Sequence, residues 1–580
     1  MIRRPPRSTQ SRSSAASDVY KRQVEAYGSR KLFGFHDVLT LSYPQAVENI
    51  HRAFLETGVD VIETNTFRSN RLTLAEVQLA DQVVSLNRAA AQLSRRLANE
   101  YSRSDQPRFV AGSMGPTGKL PSSSDPELSK ITFDELSEVY REQALGLIQG
   151  GVDLLLLETS QDILEVKAAI FGIQKAFADT GRVLPIQVQI TMDTSGHMLL
   201  GTDISAALTI LSSMPIDVLG LNCSTGPEHM REPIRYLSQA SPLPIVAIPN
   251  AGLPINVNGE AVYPLQPEPF ADSMLEFVQR FHVNVVGGCC GTTPQHLKLL
   301  VDTLKQNNSY KISFHHSVPP PALASAIQSV SMKQEPPPLL IGERCNAQGS
   351  RDFKRLLLAE DYDGILSVAR QQVDNGAHAL DISVAVTERT DEAQLMTNVI
   401  HTLTAAGIPA PLVIDTTEPS VMEAALKIAP GRCLLNSTHL EGGKSKAEAV
   451  FKLAKTYNAA VILLTIDEEG MAKTAQRKLA IAQRLYKIAV DEFQLQPQDL
   501  VFDCLTFTLA SGDPELANSA IETIEGIRLI KQNLPGVFTS LGVSNLSFGL
   551  AKAARPILNS VFLYHCLQAG LDMAIVNPAQ

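Results

Sequence analysis

Three of the seven cysteines in this 580-residue chain fall where one metal ion could gather them: Cys223 in the string GLNCSTGP, and the adjacent pair Cys289 and Cys290 in GGCCGTTP. Three thiolates leave one place open on a tetrahedral zinc ion, the pattern of a catalytic rather than a structural site. A free thiol, with a pKa near ~8.5, is mostly protonated at neutral pH, whereas a thiol entering that open place is deprotonated by the metal. The chemistry this predicts is activation of a thiol substrate as a nucleophile. Adjacent residues in a strand point to opposite faces, so Cys289 and Cys290 can serve one ion only where the backbone twists. Gly287, Gly288 and Gly291 supply that freedom. Cys345, Cys433, Cys504 and Cys566 read as ordinary buried residues.

A second set is polar and lies further along the chain: Glu343, Asn346, Asp381, Asp415, Asn436, Asp467, Asp503 and Asn545, with no cation cluster to neutralise them. Carboxylates accept paired hydrogen bonds from amino and ring N–H groups, and amides both give and accept, so the set suits a neutral, donor-rich heterocycle. Phosphate recognition is disfavoured, because neither a GxGxxG string nor a P-loop is present. Any single one of these residues would serve equally well as the cap of a following helix. The argument for a ligand rests on the set.

Both sets need a scaffold that brings distant segments to one rim. From Val24 onward, short β-branched runs alternate with helical stretches, the pattern of βα units around a parallel sheet. In the first half the strand-plus-loop units run 59–67, 108–118, 152–160, 185–193, 216–227, 244–254 and 283–294, seven in all. In the second half they run 339–350, 377–386, 411–419, 431–443, 459–470, 500–510, 537–549 and 571–580, eight in all. Eight βα units in about 250 residues make a (β/α)8 barrel, whose reactive groups sit at the C-terminal ends of the strands. The fold class expected is therefore α/β, two TIM barrels in tandem, the first without its first strand. Residues 24–306 form the first barrel and residues 339–580 the second. Residues 307–338 carry the proline clusters SVPPPALAS and QEPPP and read as a linker, with His315 and His316 a solvated pair inside it.

Residues 1–23 differ from everything after them, with six Lys or Arg, many Ser and the single acid Asp18. They lack apolar periodicity and are expected to be a non-native or disordered segment, in which case the native N-terminus is missing. With 44% hydrophobic and 19% charged residues, a net charge of −10 and a pI near 5.7, the chain as a whole reads as a globular protein of small-molecule chemistry. That charge draws neither nucleic acid nor an anionic membrane, and no apolar run approaches the ~20 residues of a membrane span. The cysteines are too few and scattered for a disulfide scaffold, so the cytoplasm is the expected location.

The strings ETNTF, GLNCSTGP and GGCCGTTP resemble the homocysteine S-methyltransferase domain. The resemblance implies that Cys223, Cys289 and Cys290 bind zinc, that Glu158 in LLLLETS holds the amino group of homocysteine, and that Asn250 in IPNAG lies beside the metal and fills its fourth position when substrate is absent. The DGAMGT-like string of that family, at the end of its first strand, has no counterpart here. Over the whole second domain, IGERCNAQGS, LDIS, PLVIDTTEP, LLNSTHLEGG and TSLGVSNLSFGL resemble the pterin-binding barrel shared by dihydropteroate synthases, corrinoid-linked methyltransferases and methionine synthases. It implies contacts to methyltetrahydrofolate from Asp381, Asp415, Asn436, Asp503 and Asn545, with Asn545 in the catalytic position near the methyl-bearing N5. Relatives often read D-x-N where this chain has Asp381, Ile382 and Ser383, so no role is carried over to Ser383.

Together the halves resemble the substrate-binding half of the cobalamin-dependent methionine synthases. The activity implied is methyl transfer from 5-methyltetrahydrofolate, through methylcobalamin, to zinc-activated homocysteine. No D-x-H-x-x-G string of the cobalamin module is present, so the cobalamin is expected to lie outside this chain, on a missing domain or a separate corrinoid protein. The rival readings are a cobalamin-independent thiol methyltransferase, a dihydropteroate synthase fused to an inactive barrel, and a non-catalytic folate- and metal-binding protein.

Overall fold

The sheet of the first half is built from runs that are apolar almost end to end, as strands covered on both faces must be. A computed structural model describes residue 32 and residues 34–257, 260–307 and 319–579. Residues 1–23 and the His315–His316 pair lie outside the described residues. The chain divides into two compact units with the main break after Pro319, and Ser205–Met214 is counted with the second.

In the first unit seven parallel strands run in chain order: β1 (Val61–Glu63), β2 (Phe109–Met114), β3 (Leu154–Ser160), β4 (Ile186–Ile190), β5 (Val218–Asn222), β6 (Ile245–Ile248) and β7 (Val285–Val286). Each of the seven expected units contains one of them. Helices between strands carry matching local signals: Thr132 caps Phe133–Gly150 in a reciprocal capping box with Glu135, and Gly151 ends that helix in the left-handed conformation. The sheet is open. Among the described residues the outer edges of β1 and β7 have no strand partner.

In the second unit eight parallel strands close on themselves: β8 (Leu339–Gly342), β9 (Ala379–Ile382), β10 (Leu412–Asp415), β11 (Leu434–Thr438), β12 (Ala460–Leu464), β13 (Leu500–Asp503), β14 (Phe538–Gly542) and β15 (Met573–Val576). Closure is made by β8 on β15, Leu339 opposite Met573 through Gly342 opposite Val576. Leu339, Ile341, Ala379, Val413, Leu434, Ala460, Ile462 and Val501 fill the interior.

The expectation of a plain linker over 307–338 is corrected for its second half. Ala322–Ala324 and Ser329–Ser331 pair as an antiparallel hairpin, and Leu323 and Met332 are fully buried in the interior cluster of the second barrel. Arg432 fixes it: its backbone oxygen accepts from Ala324 N at 3.1 Å, and its guanidinium donates to Ala322 O at 2.7 Å and to Asp499 at 2.5 Å. A barrel's N-terminal mouth must be covered by apolar side chains, and here the hairpin provides them. Among the described residues no helix is long and apolar enough to cross a membrane.

Candidate functional site

In the first unit the loops after β5, β6 and β7 are laced together by their backbones. Cys223 follows β5 directly, and both Cys223 and Ser224 take positive φ, +59° and +60°, a conformation costing non-glycine residues ~1–3 kcal/mol. Cys223 N donates to Ile248 O at 3.0 Å and Cys289 N to Pro249 O at 2.8 Å. Cys290 N donates to Asn250 Oδ1 at 3.0 Å, while its carbonyl accepts from Ala251 N at 2.9 Å. The result is three sulfurs within 4.8 Å of one another, with Cys223 to Cys290 at 3.8 Å and Cys289 to Cys290 at 4.0 Å.

Those spacings suit a metal. With Zn–S bonds of ~2.3 Å in a tetrahedron, bound sulfurs stand ~3.8 Å apart. The trio also shares its protons unevenly: thiol donation from Cys223 and then Cys289 holds Cys290 below the usual cysteine range, while Cys289 is pushed well above it by its hydrogen bonds to the other two.

Glu158, near the end of β3, is buried among polar partners. Ser113 Oγ at the end of β2 donates to Oε1, and Asn222 Nδ2, the residue before Cys223, donates to Oε2 at 3.3 Å. Asn222 also accepts from Thr159 N at 2.8 Å, so one amide ties β3 to β5 beneath the cysteines. Burial first, and then the negative charge of Glu63, drive the Glu158 pKa well above the usual carboxylate range, with Cys290 and Asp37 adding to it. A buried acid facing further acids is a place that a cation relieves. Asn250 is buried as well, and its side-chain oxygen, the atom a metal would take, serves the Cys290 amide.

In the second unit the acids divide into two kinds. Asp381 and Asp415 share one donor: the Asn346 amide nitrogen lies 2.9 Å from Asp381 Oδ2 and 2.6 Å from Asp415 Oδ2, and Asn436 Nδ2 adds a contact to Asp381 Oδ1 at 3.3 Å. Burial, then the charge of Asp381, raises Asp415 to about 8, and burial raises Asp381 to about 6. Asp415 therefore holds a proton near neutral pH and can donate as well as accept.

Asp467 and Asp503 depart from the expectation that no cation faces the strand-end acids. Asp467 is paired with Arg477 at 2.5 Å and Arg484 at 3.5 Å, which makes it an anchor for the loop after β12. Asp503 accepts from Leu505 N at 2.7 Å, and the buried Lys478 ammonium beside it donates to the carbonyls of Cys504 and Leu505. Burial still lifts Asp503 to about 6, with Lys478 opposing the rise. Asn545 stands exposed on the short helix Val543–Ser547 after β14, outside the Asp381–Asp415 network.

Residues 17–304 match the sequence model of the family described as homocysteine S-methyltransferase, and residues 342–577 match that of the pterin binding enzymes. The chain joins a homocysteine S-methyltransferase domain to a pterin-binding domain. Over 556 residues, 95% of this chain, it is 39% identical to the methionine synthase of Mycobacterium leprae (strain TN) and 40% identical to that of Mycobacterium tuberculosis (strain ATCC 25618 / H37Rv). It spans 46% of the length of each of these relatives. Among solved structures, the oxidized form of the homocysteine methyltransferase MmuM from Escherichia coli aligns with 50% of this chain and 92% of its own, at 21% identity and a TM-score of 0.40.

Of the residues singled out by sequence, Cys223, Cys289 and Cys290 come together with Asn250, and Asp381, Asp415 and Asn436 come together with Asn346. The supports of Glu158 were missed. Ser113, in the unit 108–118, and Asn222, in GLNCSTGP, stand at strand ends, so their position was the available signal. Ser383, buried at the end of β9, opposes the rise in the Asp415 pKa.

Proposed function

We propose that this chain supplies both substrate sites of a methyl transfer from 5-methyltetrahydrofolate to homocysteine, with cobalamin as the carrier provided by another domain or a separate corrinoid protein. The single observation that carries the reading is the sulfur trio at zinc spacing over the buried Glu158. Cys223, Cys289 and Cys290 would hold zinc, and zinc when bound supplies the Lewis acidity that keeps a substrate thiol deprotonated.

Around that place the chain's own residues do the binding. Glu158, with Glu63 close enough to raise its pKa, receives the substrate ammonium, whose charge offsets the repulsion between the acids. Asn222 and Ser113 fix the Glu158 carboxylate, and Asn250 fixes the loop that bears Cys290.

In the second barrel, Asp381, Asp415 and Asn436 take the pterin's amino and ring N–H edge, with Asp503 and Asn545 completing the rim. In the net reaction the N5–CH3 bond breaks, N5 gains a proton, and the methyl group replaces the proton of the homocysteine thiol. A tertiary amine leaves well only once protonated. Asn545 holds N5 in either protonation state, because an amide both gives and accepts hydrogen bonds.

The test has two arms. The zinc-loaded chain is mixed with 5-methyltetrahydrofolate and Co(I) cobalamin, and separately with methylcobalamin and homocysteine. Loss of the Co(I) absorption in the first and methionine in the second support the reading. Tight binding of both substrates with no transfer in either arm would make the chain a non-catalytic folate- and metal-binding protein.

A further inference from the structure

Lys478 carries a charge into the second unit where an apolar side chain would be expected. It stands near the start of the helix Ala475–Lys487, which follows β12, and is almost wholly enclosed. Its stem passes the helix Ser519–Asn533 at Gly526, where a side-chain carbon would stand 2.8 Å from Lys478 Cδ and 3.6 Å from Cys504 Sγ. Glycine is unfavourable in a helix interior, and here it makes the room. The ammonium then donates to the carbonyls of Cys504 and, at 3.1 Å, Leu505. A cation buried on two neutral carbonyls is costly, and an apolar residue of similar size would fill the space without that cost. The donors and the charge therefore need a use.

Both carbonyls belong to the turn that leaves β13. Leu505 takes a positive φ of +52°, a conformation rare outside glycine that persists only where neighbours fix it. Thr523 Oγ1 donates to the Leu505 carbonyl at 2.8 Å, and Ser519 Oγ accepts from Phe507 N at 2.9 Å, both from the helix Ser519–Asn533. In this turn the Leu505 amide donates to Asp503 Oδ1 at 2.7 Å. Asp503 lies two residues beyond Val501, a member of the barrel's interior cluster, and so shares its inward face at the end of the strand. The carbonyl of Leu505 is thus held by Lys478, and the amide of the same residue orients Asp503.

We propose that Lys478 is a positioning residue for the pterin site, its ammonium fixing the turn at Leu505 so that the Leu505 amide holds the Asp503 carboxylate in its place on the rim. This rests on the reading of Asp503 as a pterin contact. A binding group keeps its geometry only when the bonds behind it lock its side chain and backbone. The Lys478 charge also opposes the rise that burial imposes on the Asp503 pKa, which favours the carboxylate that accepts from an amino and ring N–H edge.

The experiment measures methyltetrahydrofolate affinity on the whole chain for wild type, Lys478→Met, Asp503→Ala and the two together, with the melting temperature of each ligand-free protein. Lys478→Met is expected to weaken binding on the order of tenfold, and to cost little further affinity once Asp503 is already alanine. Its melting temperature falls in both backgrounds, since a lysine that merely supports the fold would do as much. The coupling in affinity is what such a lysine would not produce. Wild-type affinity in Lys478→Met overturns the assignment, as does an equal loss with and without Asp503. Should Lys478→Met fail to fold, Thr523→Val removes the neutral donor from the same Leu505 carbonyl; a smaller loss of affinity, again absent beside Asp503→Ala, is expected, and no loss overturns the assignment. Wild-type affinity in Asp503→Ala removes Asp503 from the pterin site, and this inference falls with that reading.

Discussion

The side-chain oxygen of Asn250 lies 3.0 Å from the backbone nitrogen of Cys290. The residue at the end of one barrel strand thus holds the loop of the next, and Cys290 keeps the position its sulfur needs opposite Cys223. The chain is expected to bind one zinc ion, and homocysteine to add one sulfur to it. Cys289→Ser loses most of the metal, and Asn250→Ala weakens zinc roughly tenfold through the loosened loop. Metal analysis and X-ray absorption check this; full zinc retention in Cys289→Ser, or no spectral change with homocysteine, counts against it. Zinc affinity falls as pH is lowered, because protons compete for the thiolates.

Glu158→Gln separates binding from stability. The carboxylate has a raised pKa in the folded protein, through burial and the charge of Glu63, so an unfolded chain gives up that proton at lower pH. The group contributes stability at low pH that is lost as pH rises through its folded pKa. The amide is free of that cost. At pH 8 the variant is therefore expected to melt higher than wild type while binding homocysteine more weakly, by the ~1.5–3 kcal/mol of a hydrogen bond to a charged group. Calorimetry on the same samples gives both quantities, and tighter binding in the variant would remove Glu158 from the amino-group site.

The same sign applies in the second barrel. Asp415 stands at about 8 and Asp381 and Asp503 at about 6, all above the ~3.9 of an unfolded aspartate, so the folded state binds more protons between pH 4 and 8. Stability of the ligand-free protein should fall across that window, with a slope on the order of 1.4 kcal/mol per pH unit for each proton held. Asp415→Asn flattens the upper part of the curve. Methyltetrahydrofolate at 100-fold over its Kd adds ~2.7 kcal/mol to wild type, and Asp415→Ala abolishes most of that gain. An equal melting shift in wild type and Asp415→Ala would place the pterin elsewhere.

The hairpin beneath the second barrel sets where that domain can be cut. A fragment of residues 320–580 keeps Leu323 and Met332, both fully buried, whereas a fragment of residues 337–580 exposes the interior they cover. Burying two such side chains is worth ~1.5–3 kcal/mol each, so the longer fragment should be the more stable by ~3–6 kcal/mol in urea unfolding. Equal midpoints would show that the hairpin is dispensable.

All fifteen sheet strands named above were legible because their apolar runs are bounded by small and polar residues, and the cysteine trio because it stands at strand ends. The hairpin was not, since its two strands have three residues each and lie between proline clusters that argue for extended, unpaired chain. Nor were the cations beside Asp467 and Asp503. Arg477 and Lys478 sit on the helix Ala475–Lys487, where a charged residue reads as solvated until the fold turns it inward. Asn346 was visible as a strand-end amide, but its position between Asp381 and Asp415 depends on β8, β9 and β10 lying side by side.

The open sheet of the first unit gives the last prediction. Among the described residues seven strands are present where eight close a barrel, and Val61 on β1 is 41% exposed at an edge where a barrel strand would be covered. Parallel barrels leave no unpaired edge, and the edge of β1, which no described strand covers, is on the side of the site where Glu63 and Glu158 lie. The zinc trio should be little affected, because its cysteines follow β5 and β7, on strands that are paired. Homocysteine should be bound less well than a closed barrel would bind it. Replacing residues 1–23 with a first strand of the family, ending in its DGAMGT-like string, is expected to leave zinc content unchanged and to tighten homocysteine by ~1.5–3 kcal/mol, roughly ten- to hundredfold, through one more hydrogen bond to a charged group. Isothermal titration on the two proteins decides the matter. The same affinity in both would mean that the uncovered edge of β1 does not bear on the substrate.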